Sequence, residues 1–127
     1  MTDSFSELWK KAVAAGTAAG ATVQPKPMVV TQHANMLDDA SPVEKAWIVA
    51  DGLCGFAWVN VKPGTSSFAK WLVREGHARR DSYYGGVTVW ISDYGQSVTR
   101  KTAYAEAMAK TLREAGIPRT FAQSRLD

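Results

Sequence analysis

Residues 55–76 read GFAWVNVKPGTSSFAKWLVREG, and their two successive periodicities decide the fold. In the first part, side chains alternate. Ala57, Val59 and Val61 share one side, while Phe56, Trp58, Asn60 and Lys62 share the other, as in a β-strand. Pro63-Gly64 stops the strand. Thr65 or Ser66 then stands as an N-cap before a helix with Phe68, Trp71 and Leu72 on its inward side. Gly76 marks the C-terminal end.

Reading onward, HARRDSYY (77–84) is a short extended or irregular piece, and Gly85-Gly86 is a turn or bulge. GVTVWIS (86–92) is a second strand. Val87, Val89 and Ile91 lie on one side, and Thr88, Trp90 and Ser92 on the other. The longest helix follows in YGQSVTRKTAYAEAMAKTLREAG (94–116). Ser97 or Thr99 caps it, Ala105, Met108, Ala109 and Leu112 form its apolar stripe, and Gly116 with Pro118 ends it. RTFAQSRLD (119–127) returns as an edge strand. The order strand, helix, weak strand, strand, helix, strand predicts an α+β fold of the ferredoxin-like split βαβ kind. Its helices lie on one face of a mostly antiparallel sheet of four or five strands.

Reading backward, SFSELWKKAVAA (4–15) has Phe5, Leu8, Trp9, Ala12 and Val13 at helical spacing, with Ser4 as N-cap and Glu7 three residues on. Gly16 and Gly20 weaken its continuation. QPKPM (24–28) is extended, 28–31 a short strand and 32–41 a loop. SPVE (41–44) carries a helix-start signature, cap then proline then acid, for a helix that must be short. AWIVADGLCG reads as a strand running into a turn at Asp51-Gly52. Residues 1–50 are thus expected to be a helical and extended addition packed on a 51–127 core, giving a single domain over 1–127.

A chain of 127 residues has the length of one domain, and 46% apolar residues with five tryptophans supply a core. No run approaches the ~18 apolar residues that a membrane span needs, so no membrane partner is expected. The acidic, amphipathic start is unlike a secretory signal. One cysteine, Cys54, makes no internal disulfide, which fits a reducing cytosol; it is expected to fill a small core space. Charge is uneven. Residues 1–61 hold four Lys and six Asp/Glu, a net −2, and residues 62–127 hold eleven Lys/Arg and six Asp/Glu, a net +5. A cationic half attracts phosphates, although no run of basic residues raises it above an ordinary mixed surface.

Chemical motifs are sparse. No G-x-S-x-G, H-E-x-x-H or P-loop occurs. His33 and His77 are far apart and have no companion ligand at metal spacing, and Asp38-Asp39 lacks a calcium-loop pattern. No catalytic residue, metal or cofactor is therefore expected. The enzyme alternative rests on a site assembled from loops by Tyr94, Gln96 and His77. Strand parity is more informative, because it sets Phe56, Trp58 and Trp90 on the face opposite the helices. There Trp58 and Trp90 are positioned to stack bases, with Lys62 and Arg125 as phosphate partners. A competing expectation is that Phe5 and Trp9 of the N-terminal helix cover these rings; another is that two copies meet face to face. YGQSVTRK supplies a second anion candidate. Arg100 and Lys101 stand beside the free N–H groups of a helix start, where the dipole disfavours cations.

GFAWVNVKPGTSSFAKWL, YYGGVTVWISDYGQSVTRKTAYAEAMAKTLREAGI, the terminal SRLD and the earlier AAGTAAGATVQPKPMVV together resemble a family of small uncharacterised proteins encoded by tailed bacteriophages. The resemblance does not extend to 32–45. It implies a phage origin and a place in the cytoplasm of the infected host, and it implies no catalytic residue. Relatives often read SMTRKEAYA where this chain has SVTRKTAYA, so Thr102 stands where a glutamate would complete a capping box with Thr99. The leading functional expectation is a non-enzymatic phage accessory module that binds nucleic acid or a nucleotide-like anion through Trp58, Lys62, Trp90, Arg100, Lys101 and Arg125. The alternative is a homo-oligomeric interaction module, or an inhibitor of a host protein, using the same aromatic face as its hot spot.

Overall fold

The computed structural model describes the backbone of residues 2–24, 28–33, 43–49, 53–95 and 97–126, and the side chains of 4–24, 53–95 and 97–126. The elements in chain order are α1 (Thr2–Thr22), β1 (Met28–His33), β2 (Val43–Val49), β3 (Gly55–Val61), α2 (Ser67–Arg74), β4 (Arg79–Arg80), β5 (Val87–Trp90), α3 (Val98–Glu114) and β6 (Thr120–Leu126). The fold is α+β, with three helices and a four-stranded sheet ordered β4-β5-β3-β6 in which every neighbouring pair is antiparallel. Both helical connections skip a strand: α2 leads from β3 to β4 across β5, and α3 leads from β5 to β6 across β3.

Registers carry the alternation read from the sequence into three dimensions. Trp58 pairs with Trp90 and with Gln123, while Val59 pairs with Val89 and Ala122. Ala57, Val59, Val61, Val87, Val89 and Ile91 are all buried beneath the helices with Leu72, Met108 and Leu112. The two later helices begin and end as their caps dictate. Ser66 Oγ accepts from Ala69 N at 3.1 Å, and Ser97 Oγ accepts from Arg100 N at 3.3 Å. With Ser97 as the cap, Thr99 and Thr102 lie inside α3, and no capping box forms between them. At the other ends, Gly76 and Gly116 take φ of 79° and 101° and close six-residue loops. His77 N donates to Leu72 O at 2.8 Å, and Ile117 N donates to Leu112 O at 3.0 Å.

The N-terminal third departs from its expectations. Ser4 is not the cap, because α1 already begins at Thr2, and the helix runs through both glycines to Thr22. A Cβ on Gly16 would lie 2.8 Å from the Tyr104 ring of α3, and one on Gly20 would lie 2.4 Å from the ring of Tyr94. The glycines weaken the helix locally but let aromatic rings seat directly on its backbone, and packing outweighs propensity. Further along α1, Phe5 meets Phe68 and Trp71 of α2 at 5.4 and 6.0 Å. The SPVE helix start is overturned, since Val43–Val49 is a strand. It pairs antiparallel with β1, Met28 opposite Val49, in a two-stranded sheet of its own. Gln32 and His33, expected in a loop, extend β1. Residues 25–27 of the extended segment, the rest of the 32–41 loop and the Asp51-Gly52 turn lie outside the described residues. Cys54 is exposed instead of filling the core.

Gly16→Val tests the contact between α1 and α3. Tyr104 is buried and cannot swing clear, so overpacking of about 1–3 kcal/mol exceeds the few tenths gained by leaving glycine. Urea denaturation is expected to show a lower midpoint, and the loss should shrink when Tyr104→Ala is also present. A neutral or stabilising valine would contradict the close approach.

Candidate nucleic-acid interface

The face of the sheet opposite the helices is aromatic. Trp58 and Trp90 stack across β3 and β5 with centroids 5.8 Å apart and planes within 5°. Phe56 lies 5.5 Å from Trp90, Tyr84 lies 6.3 Å from Trp58, and Tyr83 lies 4.6 Å from Tyr84. Five rings therefore form one continuous ladder. Its members differ in access: Trp90 is 47% exposed, Tyr84 43% and Tyr83 85%, whereas Trp58 is only 8% exposed. Trp58 acts as a support, its indole Nε1–H donating to Gln123 Oε1 at 2.7 Å, and Trp90 and Tyr84 present the open ring surface. Helix α1 does not cover this face, because Phe5 packs on α2 and Trp9 stacks on His77 at 4.5 Å.

A groove of about 730 Å³ runs over the ladder, lined by Trp58, Tyr84, Trp90, Asp81, Thr88, Gln123 and Arg125, with Tyr83 and Ser124 at its margin. The loop 81–86 builds one wall. Asp81 Oδ1 accepts from Tyr83 N at 2.9 Å and Tyr84 N at 2.8 Å, and its Oδ2 accepts from Thr88 Oγ1 at 2.6 Å. Gly85 and Gly86 turn the chain with φ of 78° and 66°, and a Cβ on Gly86 would strike Val61 O at 2.4 Å. Asn60 Nδ2 donates to Gly85 O at 2.9 Å and ties the loop to β3. This Asx-type turn sets the height of both tyrosines above the sheet. The Thr88 hydroxyl, followed by the Tyr84 amide, holds the Asp81 carboxyl below its ordinary value of 3.8, so the group is ionised at neutral pH.

Cations ring the ladder. Arg125, opposite Phe56 in the register, lays its guanidinium 5.4 Å from the Phe56 ring. Lys62 lies against Gly86, and its charge also favours ionised Asp81. Arg79 pairs with Thr88 and so shares the aromatic face; with Arg80, Ser82 and Trp90 it lines a side hollow of about 320 Å³.

Four of the six residues singled out from the sequence thus meet on one face: Trp58, Lys62, Trp90 and Arg125. Arg100 and Lys101 are placed elsewhere. Arg100 Nη1 donates to Gly20 O at 2.9 Å, supplying the cation that the last turn of α1 lacks. Lys101 is 5% exposed, and its ammonium donates to Gly55 O at 3.4 Å and lies 5.6 Å from the Phe56 ring. Residues the sequence reading left out are Tyr83, Tyr84, Asp81, Thr88, Gln123 and Arg79. The signal for the tyrosines was the D-x-Y-Y-G-G order itself, an aspartate two residues before a pair of rings on a glycine turn.

No protein-family model, curated protein or solved structure matches this chain. Two of the three residues named for a loop-assembled enzyme site are described, and each has a partner. His77 is sandwiched beside Trp9 and Trp71, Tyr94 donates to Thr17 O at 2.9 Å, and Gln96 lies outside the described residues, as do Asp38-Asp39 and the His33 side chain. Among the described residues no group of three His, Cys, Asp or Glu gathers at metal-binding distance. None of the described helices is long and apolar enough to cross a membrane.

The Asp81 turn gives a pH test. Its folded pKa is lowered, so its stabilisation is full above 3.8 and is lost as pH falls through the lower folded value. Asp81→Ala is expected to unfold more easily than the parent near neutral pH, with the gap closing below 3.8. A gap that stays constant across the acid range in paired thermal melts would show that the carboxylate does not hold the turn.

Proposed function

We propose that this chain is a non-enzymatic module that binds single-stranded nucleic acid on the open aromatic face of its sheet. The observation that carries the reading is the half-exposed Trp90 ring, seated parallel on Trp58, with Tyr84 beside Trp58 and with Lys62, Arg79 and Arg125 on the same face. Exposed rings offer a sequence-tolerant stacking surface to unpaired bases, which a duplex keeps stacked internally. The cations on the same face supply charge for phosphates beside a stacked base. A nucleotide-like anion uses the same features at smaller scale.

Two finer readings belong with this one. The strand order, fourth-first-third-second when the core strands are counted from β3, supports a ferredoxin-like arrangement in which β3 and β5 are the central strands. The resemblance to proteins of tailed bacteriophages supports a phage accessory role in the cytoplasm of an infected bacterium. The same exposed ladder also favours a second reading. Contiguous half-exposed rings are uncommon on monomers, and a second copy or a host protein would bury Trp90 and Tyr84 in a hot spot. Light scattering separates the two, because a stable dimer with shielded tryptophan fluorescence supports the second.

Binding is tested by fluorescence titration with short oligonucleotides at several salt concentrations. Stacking of one base is worth about 1–3 kcal/mol, so Trp90→Ala is expected to weaken affinity roughly 5- to 150-fold. Arg125→Ala should flatten the salt dependence by about 0.7 in log–log slope, the share of one phosphate on a single strand. Arg100→Ala should lower thermal stability and leave that slope unchanged. Absence of binding at low salt, or equal affinity for parent and Trp90→Ala, would overturn the proposal.

A further inference from the structure

We propose that the groove reads a guanine base within a single strand, with Gln123 and Thr88 as the residues that set the preference; this rests on the nucleic-acid reading above. The inference comes from two hydrogen bonds that remove rotational ambiguity from the groove walls. An indole N–H can only donate. By donating to Gln123 at 2.7 Å, Trp58 fixes Oε1 toward itself and turns Nε2 away as a donor, and among the described residues Nε2 has no further partner. On the opposite wall, the Thr88 hydroxyl donates to Asp81 Oδ2 at 2.6 Å, so its oxygen can only accept from anything else.

The groove therefore has a fixed polarity. Its β6 wall offers donors, the Gln123 amide nitrogen and the Arg125 guanidinium. Its β4–β5 wall offers two adjacent acceptors, Asp81 Oδ2 and Thr88 Oγ1. Asp81 Oδ1 is already occupied by two backbone N–H groups, which leaves Oδ2 as the carboxylate's open side. Guanine is the base that presents adjacent donors, N1–H and N2–H, on one edge and adjacent acceptors, O6 and N7, on another. Cytosine and adenine offer a single exocyclic donor group beside ring acceptors, and thymine offers one ring N–H between two carbonyls. Room for a purine is available in the groove of about 730 Å³. The register sets Gln123 level with Trp58 and Trp90, and Thr88 level with Asn60, so the two walls face each other diagonally across β3. A guanine seated between these walls, over β3, would direct its donor edge to Thr88 and Asp81 and its acceptor edge to Gln123.

The test compares short single-stranded oligothymidines carrying one central guanine, adenine or cytosine with plain oligothymidine, by fluorescence titration at fixed low salt. The guanine strand is expected to bind roughly 5- to 100-fold more tightly than the others, the discrimination typical of paired base-edge contacts. Gln123→Glu keeps an oxygen for the Trp58 indole but replaces the donor with an acceptor, so the guanine-to-thymine ratio should fall toward one. Thr88→Val should lower the same ratio while both variants retain the parent's far-ultraviolet circular dichroism. Equal affinity for all four strands, preference for another base, or a guanine ratio untouched by Gln123→Glu overturns the assignment and leaves general single-strand binding in place. Failure of every strand to bind overturns that broader reading as well.

Discussion

The register between β3 and β5 is the constraint on which the rest of the molecule depends. Setting Trp58 opposite Trp90 necessarily sets Val59 opposite Val89. One choice of pairing therefore sends the aliphatic side chains under the helices and the rings to the other face. A slip of one residue would exchange the two sets and bury indoles among residues shaped for valine. Burial of Ala57, Val59, Val61, Val87 and Val89 makes that slip costly from the helix side. The indole stack with its bond to Gln123 opposes it from the other, and so β3 is specified from both faces. The aromatic face is in this sense a consequence of the core. Its order does not depend on a ligand.

Charge near the start of α3 answers to the fold before it answers to any partner. A helix beginning with Arg100 and Lys101 conflicts with its own dipole. Both residues act outside their own helix: Arg100 reaches the Gly20 carbonyl near the end of α1, and Lys101 reaches the Gly55 carbonyl at the start of β3. Arg113 likewise donates to Thr120 O at 2.8 Å. Three of the eleven basic residues after position 61 thus neutralise carbonyl ends inside the structure. The cationic character available to a ligand is smaller than the count suggests, and Lys62, Arg79 and Arg125 are its share on the ladder's own face.

What was legible in the sequence was whatever is decided within one element. The alternation of β3 and β5 and the stops at Gly76 and Gly116 each follow from a few neighbouring residues and stand as expected, and the caps are Ser66 and Ser97, one from each pair the sequence left open. What was not legible depends on distant partners. Gly16 and Gly20 look like helix breakers until Tyr104 and Tyr94 are set against them. SPVE looks like a helix start until MVVTQH pairs with the residues that follow it. At the site, parity set Trp58, Trp90 and Lys62 on one face, and the basic C-terminal half pointed to Arg125. Parity could not say that Trp58 would be shielded, nor that an aspartate would lift Tyr83 and Tyr84 into line with the stack, because both depend on how the 81–86 loop folds back over β3.

That loop also explains why the ladder can be exposed without being disordered. A free tyrosine side chain on a surface loop loses rotamer entropy on meeting a ligand, which lowers affinity. Here part of that cost has been met on folding: the Asp81 carboxylate fixes the backbone N–H groups of both tyrosines, Asn60 pins the turn to the central strand, and the Tyr84 ring rests against Trp58, while Tyr83 keeps its exposure. The groove walls show the same preorganisation at Gln123, Thr88 and Asp81, each of which is oriented by a hydrogen bond. A base entering such a groove would meet rings and hydrogen-bonding atoms already in position. It would lose mainly its own freedom, and discrimination between bases would then depend on the fixed order of donors and acceptors.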